Sequence, residues 1–331
     1  MMKELLDYLP RMRGKRIGVF GDLIADEYVY GTIHRFSREA PVFIVNYEDS
    51  QIGLGGAANA IHNIHDLGGV PIPFGVVGSD LPGRTLVAIL RDKGIDINGV
   101  LVEETRATFV KQRIVAGSPH SVRQQILRLD RCQAIPAEAG CHASLRERIL
   151  HAVSRIDSLI VSDYSLGTAH PHHAGPILEE CGKRGIPVFV DSRQHLASFR
   201  GITAATPNEP EVEAIIGKTV EGKTLVAAGK ELIGRLQAQA LLITRGRNGM
   251  ALFTRNAEPQ LIPIFGSTDI VDVTGAGDTV ISTFALGVSA GASYVDAARL
   301  ANCAAGIVVM KRGAATVSPE ELTEAIRVAE M

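Results

Sequence analysis

Tryptophan is absent from the 331 residues, and aromatic side chains make up only 5%. Proteins that hold single-stranded nucleic acid stack bases on such rings, so a stacking platform is excluded as the main design. Positive charge is not in excess either. The formal net charge is −2, which argues against a nucleic-acid surface but leaves local basic pockets open. The four cysteines, Cys132, Cys141, Cys181 and Cys303, form no CxxC pair, so neither a zinc site nor a thioredoxin-like motif is signalled. They read as reduced thiols of a cytoplasmic protein. No apolar run reaches the ~18–20 residues that span a bilayer. The nearest, after Asp278, is broken by Ser282, Thr283, Gly287 and Ser289. Residues 1–14 scatter charges among apolar positions and show no signal-peptide core. A P-loop of the form GxxxxGK[ST] is missing throughout.

What the chain does carry is a loop of small residues opening into a mostly apolar helix, Asp272-Val273-Thr274-Gly275-Ala276-Gly277-Asp278-Thr279. The first turn of a helix has unpartnered N–H groups at the positive end of its dipole, which suits an anion. Gly275, Ala276 and Gly277 let a phosphate approach the main chain closely. Asp278 would repel that anion, an odd choice for binding alone. It suits a hydroxyl that must lose a proton while attacking a phosphoryl group. The same residues also fit an Asp-Thr cap on a core helix.

Strands are expected over 15–20, 72–77, 158–161, 188–190 and 241–244, and helices over 82–93, 142–154, 172–183, 220–236, 279–290 and 295–309. That alternation implies an α/β fold with a mainly parallel sheet covered on both faces. Ligands then bind beyond the carboxyl ends of the strands, where Asp22, Asp26, Asp163, Arg193 and Thr244 fall. β-rich segments at 28–30 with 42–45, and at 108–115 with 121–129, interrupt the alternation and are expected to meet as a small separate sheet. Gly53-x-Gly55-x-x-Ala58 formally satisfies a dinucleotide fingerprint, but the segment before it is polar and it is not in the first βα unit. Asn59, on the helix expected to follow, could equally face a polyol with one donor and one acceptor. Asn208 and Glu211 fit either a capping box or hard oxygen ligands for Mg²⁺. His170-Pro171-His172-His173 reads as a loop and helix start rather than a metal site, because Pro171 prevents a helical i, i+4 pair.

Two stretches together resemble the ribokinase-like (PfkB) sugar kinases: Gly55-Gly56-Ala57-Ala58-Asn59-Ala60 and the Asp272–Thr279 loop. Asn208-x-x-Glu211 is similar to the family's magnesium-linked motif, and Thr244-Arg245-Gly246-Arg247-Asn248-Gly249 to its nucleotide-side loop. Further passages resemble the family's heptose-phosphate kinases, among them Ser37-Arg38-Glu39-Ala40-Pro41-Val42, Ser162-Asp163-Tyr164 and the run from Ala301 to Val309. Against those enzymes, Asp191-Ser192-Arg193-Gln194 stands in place of Asp-Pro-Lys-Gly, and Leu166-Gly167 in place of Lys-Gly.

The resemblance implies a doubly wound, ribokinase-like domain over 1–331 with a small β lid at about 28–47 and 107–129. It implies ATP-dependent transfer of the γ-phosphoryl group to a sugar hydroxyl, O1 of D-glycero-β-D-manno-heptose 7-phosphate. Asp278 would be the base, with Gly275, Ala276 and Gly277 as amide donors. Asp22, Asp26, Gly55, Gly56, Asn59 and Asp163 would meet the sugar, and Arg38, Lys111, Arg113 and Arg193 are cations available to its phosphate. Asn208, Thr244, Gly246, Gly249, Thr274, Asn302 and Ala305 would border the nucleotide. Glu211 and Asn208 would serve Mg²⁺ through its waters, with a monovalent cation such as K⁺ near Asp272. Sheet edges in the lid lead us to expect a homodimer. The second, nucleotidyl-transferase domain of bifunctional relatives is expected to be absent from a chain ending at Met331. The rivals are a kinase of an unphosphorylated sugar, an NAD-dependent oxidoreductase built on Gly53–Ala58, and a non-catalytic binding protein.

Overall fold

Short apolar strands that alternate with amphipathic helices bury both faces only when they lie side by side with helices above and below. The structure, a computed structural model, describes residues 3–118, 122–255, 257–266 and 271–329. Ser121, the expected start of a β segment, lies outside the described residues, as do Met1 and Met331. The strands are β1 (Arg16–Gly21), β2 (Leu23–Phe36), β3 (Phe43–Gly56), β4 (Val70–Gly78), β5 (Val100–Glu103), β6 (Phe109–Gly117), β7 (Gln124–Arg131), β8 (Ser158–Asp163), β9 (Val188–Ser192), β10 (Ala204–Ala205), β11 (Ala240–Thr244), β12 (Met250–Thr254) and β13 (Gln260–Ile262). The helices are α1 (Leu9–Met12), α2 (Ala57–Asp66), α3 (Leu81–Asp92), α4 (Cys141–Ala152), α5 (Pro171–Arg184), α6 (Glu209–Ile216), α7 (Gly222–Leu236), α8 (Ala276–Ser289), α9 (Tyr294–Val308) and α10 (Pro319–Val328).

Nine strands form the main sheet in the order β13-β12-β11-β10-β9-β8-β1-β4-β5. From β11 to β5 all neighbours are parallel, and β12 and β13 close one edge antiparallel. β1 lies inside the sheet, with later strands added on both sides of it, so this is the doubly wound α/β arrangement expected. Alternate strand residues face opposite sides. Val19, Ile160 and Phe189 join the core under α2, α8 and α9. Phe20, Val161 and Val190 join the core under α4, α5 and α7. Among the described residues no helix is long and apolar enough to cross a membrane.

The other four strands make a second sheet, β3-β2-β6-β7. The two β-rich patches do meet there, but the strands are longer than expected. β2 begins directly after β1, and β3 runs on through Gly53–Gly56, which pair with Asp26–Leu23. The glycines are therefore rungs of an antiparallel pair and not the turn after a parallel strand, which removes the dinucleotide-fingerprint reading. Their small size has a local cause. A Cβ on Gly55 would lie 2.7 Å from the Asp26 carboxyl, and Gly56 turns into α2 at φ 56°, where side chains are strained. A second correction concerns α8. It starts at Ala276, three residues earlier than expected, because Gly275 takes φ 80° and caps it. Asp278 thus sits inside the first turn.

Candidate active site

Parallel strands present their carboxyl ends on one rim, and a reversal of winding opens a crevice there. A cleft of about 670 Å³ runs along that rim. Asp191 and Arg193 line it from the end of β9, and Asn208 and Glu211 from the start of α6. Thr244 and Gly246 line it from the end of β11, and Gly275, Gly277 and Asp278 from the start of α8. Residues far apart in sequence converge because each sits at the same end of a parallel strand or at the helix beside it.

Asp278 is 3% exposed. Its Oδ2 accepts from Asn59 Nδ2 at 2.8 Å, and its Oδ1 accepts from the Tyr164 hydroxyl at 2.8 Å. Burial pushes the carboxyl up to about 6, with Asp26 adding to the shift and the two donors and Lys111 opposing it. It is therefore mostly ionised at neutral pH yet basic enough to take a proton. Asn59 is itself oriented. Asn63 Nδ2 donates to Asn59 Oδ1 at 3.3 Å, and the Thr279 hydroxyl donates to Asn63 Oδ1 at 2.8 Å. Gly275 must lack a side chain, since a Cβ there would fall 2.5 Å from Asn59 Nδ2.

On the side of the second sheet, Arg113 Nη1 meets Asp26 Oδ1 at 2.7 Å, and both side chains are nearly buried. Lys111 Nζ and Arg193 Cζ lie 4.4 and 4.5 Å from the centroid of the Tyr164 ring. Neither has a carboxylate in ion-pair range among the described residues. Burial, then Arg193, lowers the Lys111 ammonium below its ordinary value. Two neighbouring cations without an ion-paired carboxylate can receive the anion of a ligand.

Asn208 and Glu211 form a reciprocal capping box, with Glu211 N to Asn208 Oδ1 at 2.8 Å and Asn208 N to Glu211 Oε2 at 2.9 Å. The capping-box reading of this pair is thus realised; it spends the one side-chain oxygen of Asn208 and one of the two of Glu211, which lines the cleft. Burial raises the Glu211 carboxyl, and burial followed by Glu211 and Asp278 raises Asp191 well above its ordinary value.

Several expected site residues sit elsewhere. Asp22 is wholly buried. Its Oδ2 takes Tyr164 N at 2.8 Å and Leu166 N at 3.2 Å, and its Oδ1 takes Thr168 N at 3.0 Å, leaving no free edge for a sugar. Asp163 is likewise consumed, by Ser165 N, Ser192 Oγ and His195 Nδ1 at 2.8, 2.7 and 2.9 Å. Arg38 lies exposed beyond the end of β2, whose stretch from Asp26 to Phe36 alone spans about 33 Å at the usual strand rise. Gly56 and Gly249 are backbone devices. A Cβ on Gly249 would strike Ile262 O at 2.1 Å. Asn302 spends its amide on Pro263 O at 2.7 Å, tying α9 to the stretch after β13, against which Gly306, next to Ala305, also packs closely. Thr274 is half-buried, and its N–H is taken by Asp272 Oδ1 at 2.9 Å. Tyr164 and Asp191 were missed. Both end strands whose polar termini were visible, yet only the fold shows that they face Asp278.

Residues 19–321 match the pfkB family carbohydrate kinases. The chain is 38% identical over 306 residues to the bifunctional protein HldE of Geobacter metallireducens, covering 92% of this chain and 61% of that protein. It is 36% identical over 329 residues to the HldE of Pelobacter propionicus, covering 99% and 66%. It thus spans less than two thirds of the length of these curated relatives. In structure it is similar to phosphofructokinase-2 from Escherichia coli in complex with potassium, with TM-score 0.76 and 16% identity over 96% of this chain and 100% of that one. It is similar too to the ribokinase of Arabidopsis thaliana complexed with ribose and ATP, with TM-score 0.76 and 20% identity over 95% and 99%. A ribokinase-like fold, a matched family over most of the chain and a carboxylate at a bare helix terminus have one consistent reading: the chain belongs to the pfkB family of carbohydrate kinases, phosphotransferases that act on an alcohol group.

Proposed function

We propose that this sugar kinase transfers the γ-phosphoryl group of ATP to O1 of D-glycero-β-D-manno-heptose 7-phosphate. The observation that carries the acceptor assignment is the pair Lys111 and Arg193, two cations without carboxylate partners beside the base. A sugar that already bears a phosphate would supply the missing anion. Likeness to the HldE proteins supports the same reading.

In this mechanism Asp278 accepts the proton of the attacking hydroxyl, a contribution of roughly 10²–10⁴ in rate. The N–H groups of Gly275 and Gly277 receive the charge that builds on the transferred group, each such donor being worth about 2.7–4 kcal/mol, whereas the Ala276 N–H, expected as a third donor, is given to Val273 O at 3.3 Å. Asn59 and Asp26 hold sugar hydroxyls, with Arg113 fixing Asp26 and Gly55 leaving it room. Thr244 and Gly246, which line the cleft, border the nucleotide. Glu211, with one carboxylate oxygen outside the capping box, suits Mg²⁺, with Asn208 beside it. No group of three or more His, Cys, Asp or Glu among the described residues is set to hold a metal directly, so the ion would be held through its waters. When bound, Mg²⁺ neutralises phosphate charge. Asp272 has both oxygens on main-chain N–H groups, Thr274 and Gly313. Burial works against its ionisation, but these bonds bring it below its ordinary value, and a K⁺ could balance that fixed charge. The second sheet would act as a lid that excludes water as a competing acceptor. Its exposed Phe36, Phe43 and Tyr47 suit burial against a second copy of the chain.

Transfer from ATP to a panel of sugars and sugar phosphates tests the proposal. Turnover of the heptose 7-phosphate well above that of unphosphorylated sugars is expected. Preference for a free sugar such as ribose or fructose would replace this acceptor with the unphosphorylated class.

A further inference from the structure

Tyr164 has no part in the mechanism above, yet three features converge on it. Its hydroxyl donates to Asp278 Oδ1 at 2.8 Å. Its ring carries both Lys111 and Arg193 at about 4.5 Å. Its main chain is pinned, with Tyr164 N on the wholly buried Asp22 at 2.8 Å. Ser165 next to it is held at φ 63°, a conformation costly for a side-chain-bearing residue, by a bond from its N–H to Asp163. The two buried aspartates at the ends of β1 and β8 thus serve to aim one phenol across the crevice at α8.

We propose that Tyr164 is a positioning residue for the reaction. Its hydroxyl holds the Asp278 carboxylate ionised and turned toward the acceptor, and its ring seats the two cations that receive the acceptor's phosphate. One side chain then sets the spacing between the phosphate end of the sugar and the base. This rests on the acceptor and base named above.

The surroundings of Asp278 support the hydroxyl's part. Asn59 faces it from α2, Asp191 from β9, Asp26 and Lys111 from the second sheet, and Tyr164 from the loop after β8. Burial and the neighbouring aspartates oppose ionisation, while Asn59, Tyr164 and Lys111 favour it. A donor to a carboxylate stabilises its charged form, so losing the phenol moves the titration upward.

The test uses Tyr164→Phe, which keeps the ring, and Tyr164→Leu, which does not. The Asp278 carboxyl is followed by carbon-13 NMR, identified by its absence in Asp278→Asn, alongside pH profiles of kcat and the KM for heptose 7-phosphate. Tyr164→Phe is expected to raise the Asp278 midpoint by about one pH unit and move the acid limb of kcat with it, leaving KM within about twofold. Tyr164→Leu should add a roughly tenfold rise in KM, the scale of a lost cation seat. An unmoved midpoint in Tyr164→Phe, or a kcat lowered equally at every pH, overturns the hydroxyl's role. Equal KM in the two variants overturns the ring's role. If the wild type does not turn over heptose 7-phosphate, the acceptor assignment and the ring's role both fall, while the carboxyl titration still decides the hydroxyl's.

Discussion

The rim of the sheet carries two sets of aspartates that look alike in sequence and behave in opposite ways, with Asp22, Asp163 and Asp278 buried and Asp191 half-buried. At β1 and β8, Asp22 and Asp163 each accept three hydrogen bonds from their surroundings. At β9 and α8, Asp278 accepts two and Asp191 accepts none among the described residues. A buried carboxylate with its oxygens fully partnered is a fastener for the main chain. One left short is costly in a folded protein and persists where a ligand or a proton completes it. Counting donors, rather than noting burial or position, separates the two roles.

Mutation can break or sharpen this contrast. The largest effect is expected for Asp278→Asn, which should lower kcat by roughly 10²–10⁴ without loss of fold. Steady-state kinetics beside a thermal melt checks it, and near-normal turnover would remove Asp278 as the base. Asp22→Ala should do the reverse. It orphans three main-chain donors and should cost about 3 kcal/mol or more of stability, at ~1–3 kcal/mol each. Urea unfolding of the variant reads this directly, and a wild-type midpoint would show that the fastener is dispensable. Lys111→Ala should raise the KM for a phosphorylated acceptor about tenfold and leave that for ATP unchanged, the arithmetic of one lost charge-assisted contact.

Two pH effects come next. Because Asp278 works ionised, kcat should rise through about pH 6 and level off above it. A profile flat down to pH 5 would contradict the raised value. Asp191, raised by burial and by Glu211 and Asp278, stabilises the fold only while it holds its proton. That contribution is present below its ordinary value of 3.8 and is lost as pH rises through its folded value. Asp191→Asn should therefore raise the melting temperature at pH 8 by about 2–4 °C, an advantage that shrinks toward pH 4. A variant that melts lower at pH 8 would mean the carboxylate is satisfied after all.

Much of this was readable from the chain alone. The alternation of short apolar strands with helices dictated a parallel sheet, because no other packing buries both faces. The Gly-Ala-Gly loop before Asp278 specified a bare helix terminus, because its small residues and caps act over a few positions. Local signals failed where partners are distant in sequence. Gly53–Gly56 read as a helix-opening loop until β2 was seen to pair with them, and Asp22 read as a sugar ligand until the loop after β8 claimed its oxygens. Whether a strand-end aspartate is a fastener or a base depends on which donors the fold brings to it, and for Asp22 and Asp278 those lie more than a hundred residues away. The alternation of strands and helices thus determined the architecture and the resemblance of two motifs to a known family the reaction type, while the role of Asp22 and of Asp278 was decided by three-dimensional contacts that no short window of sequence contains.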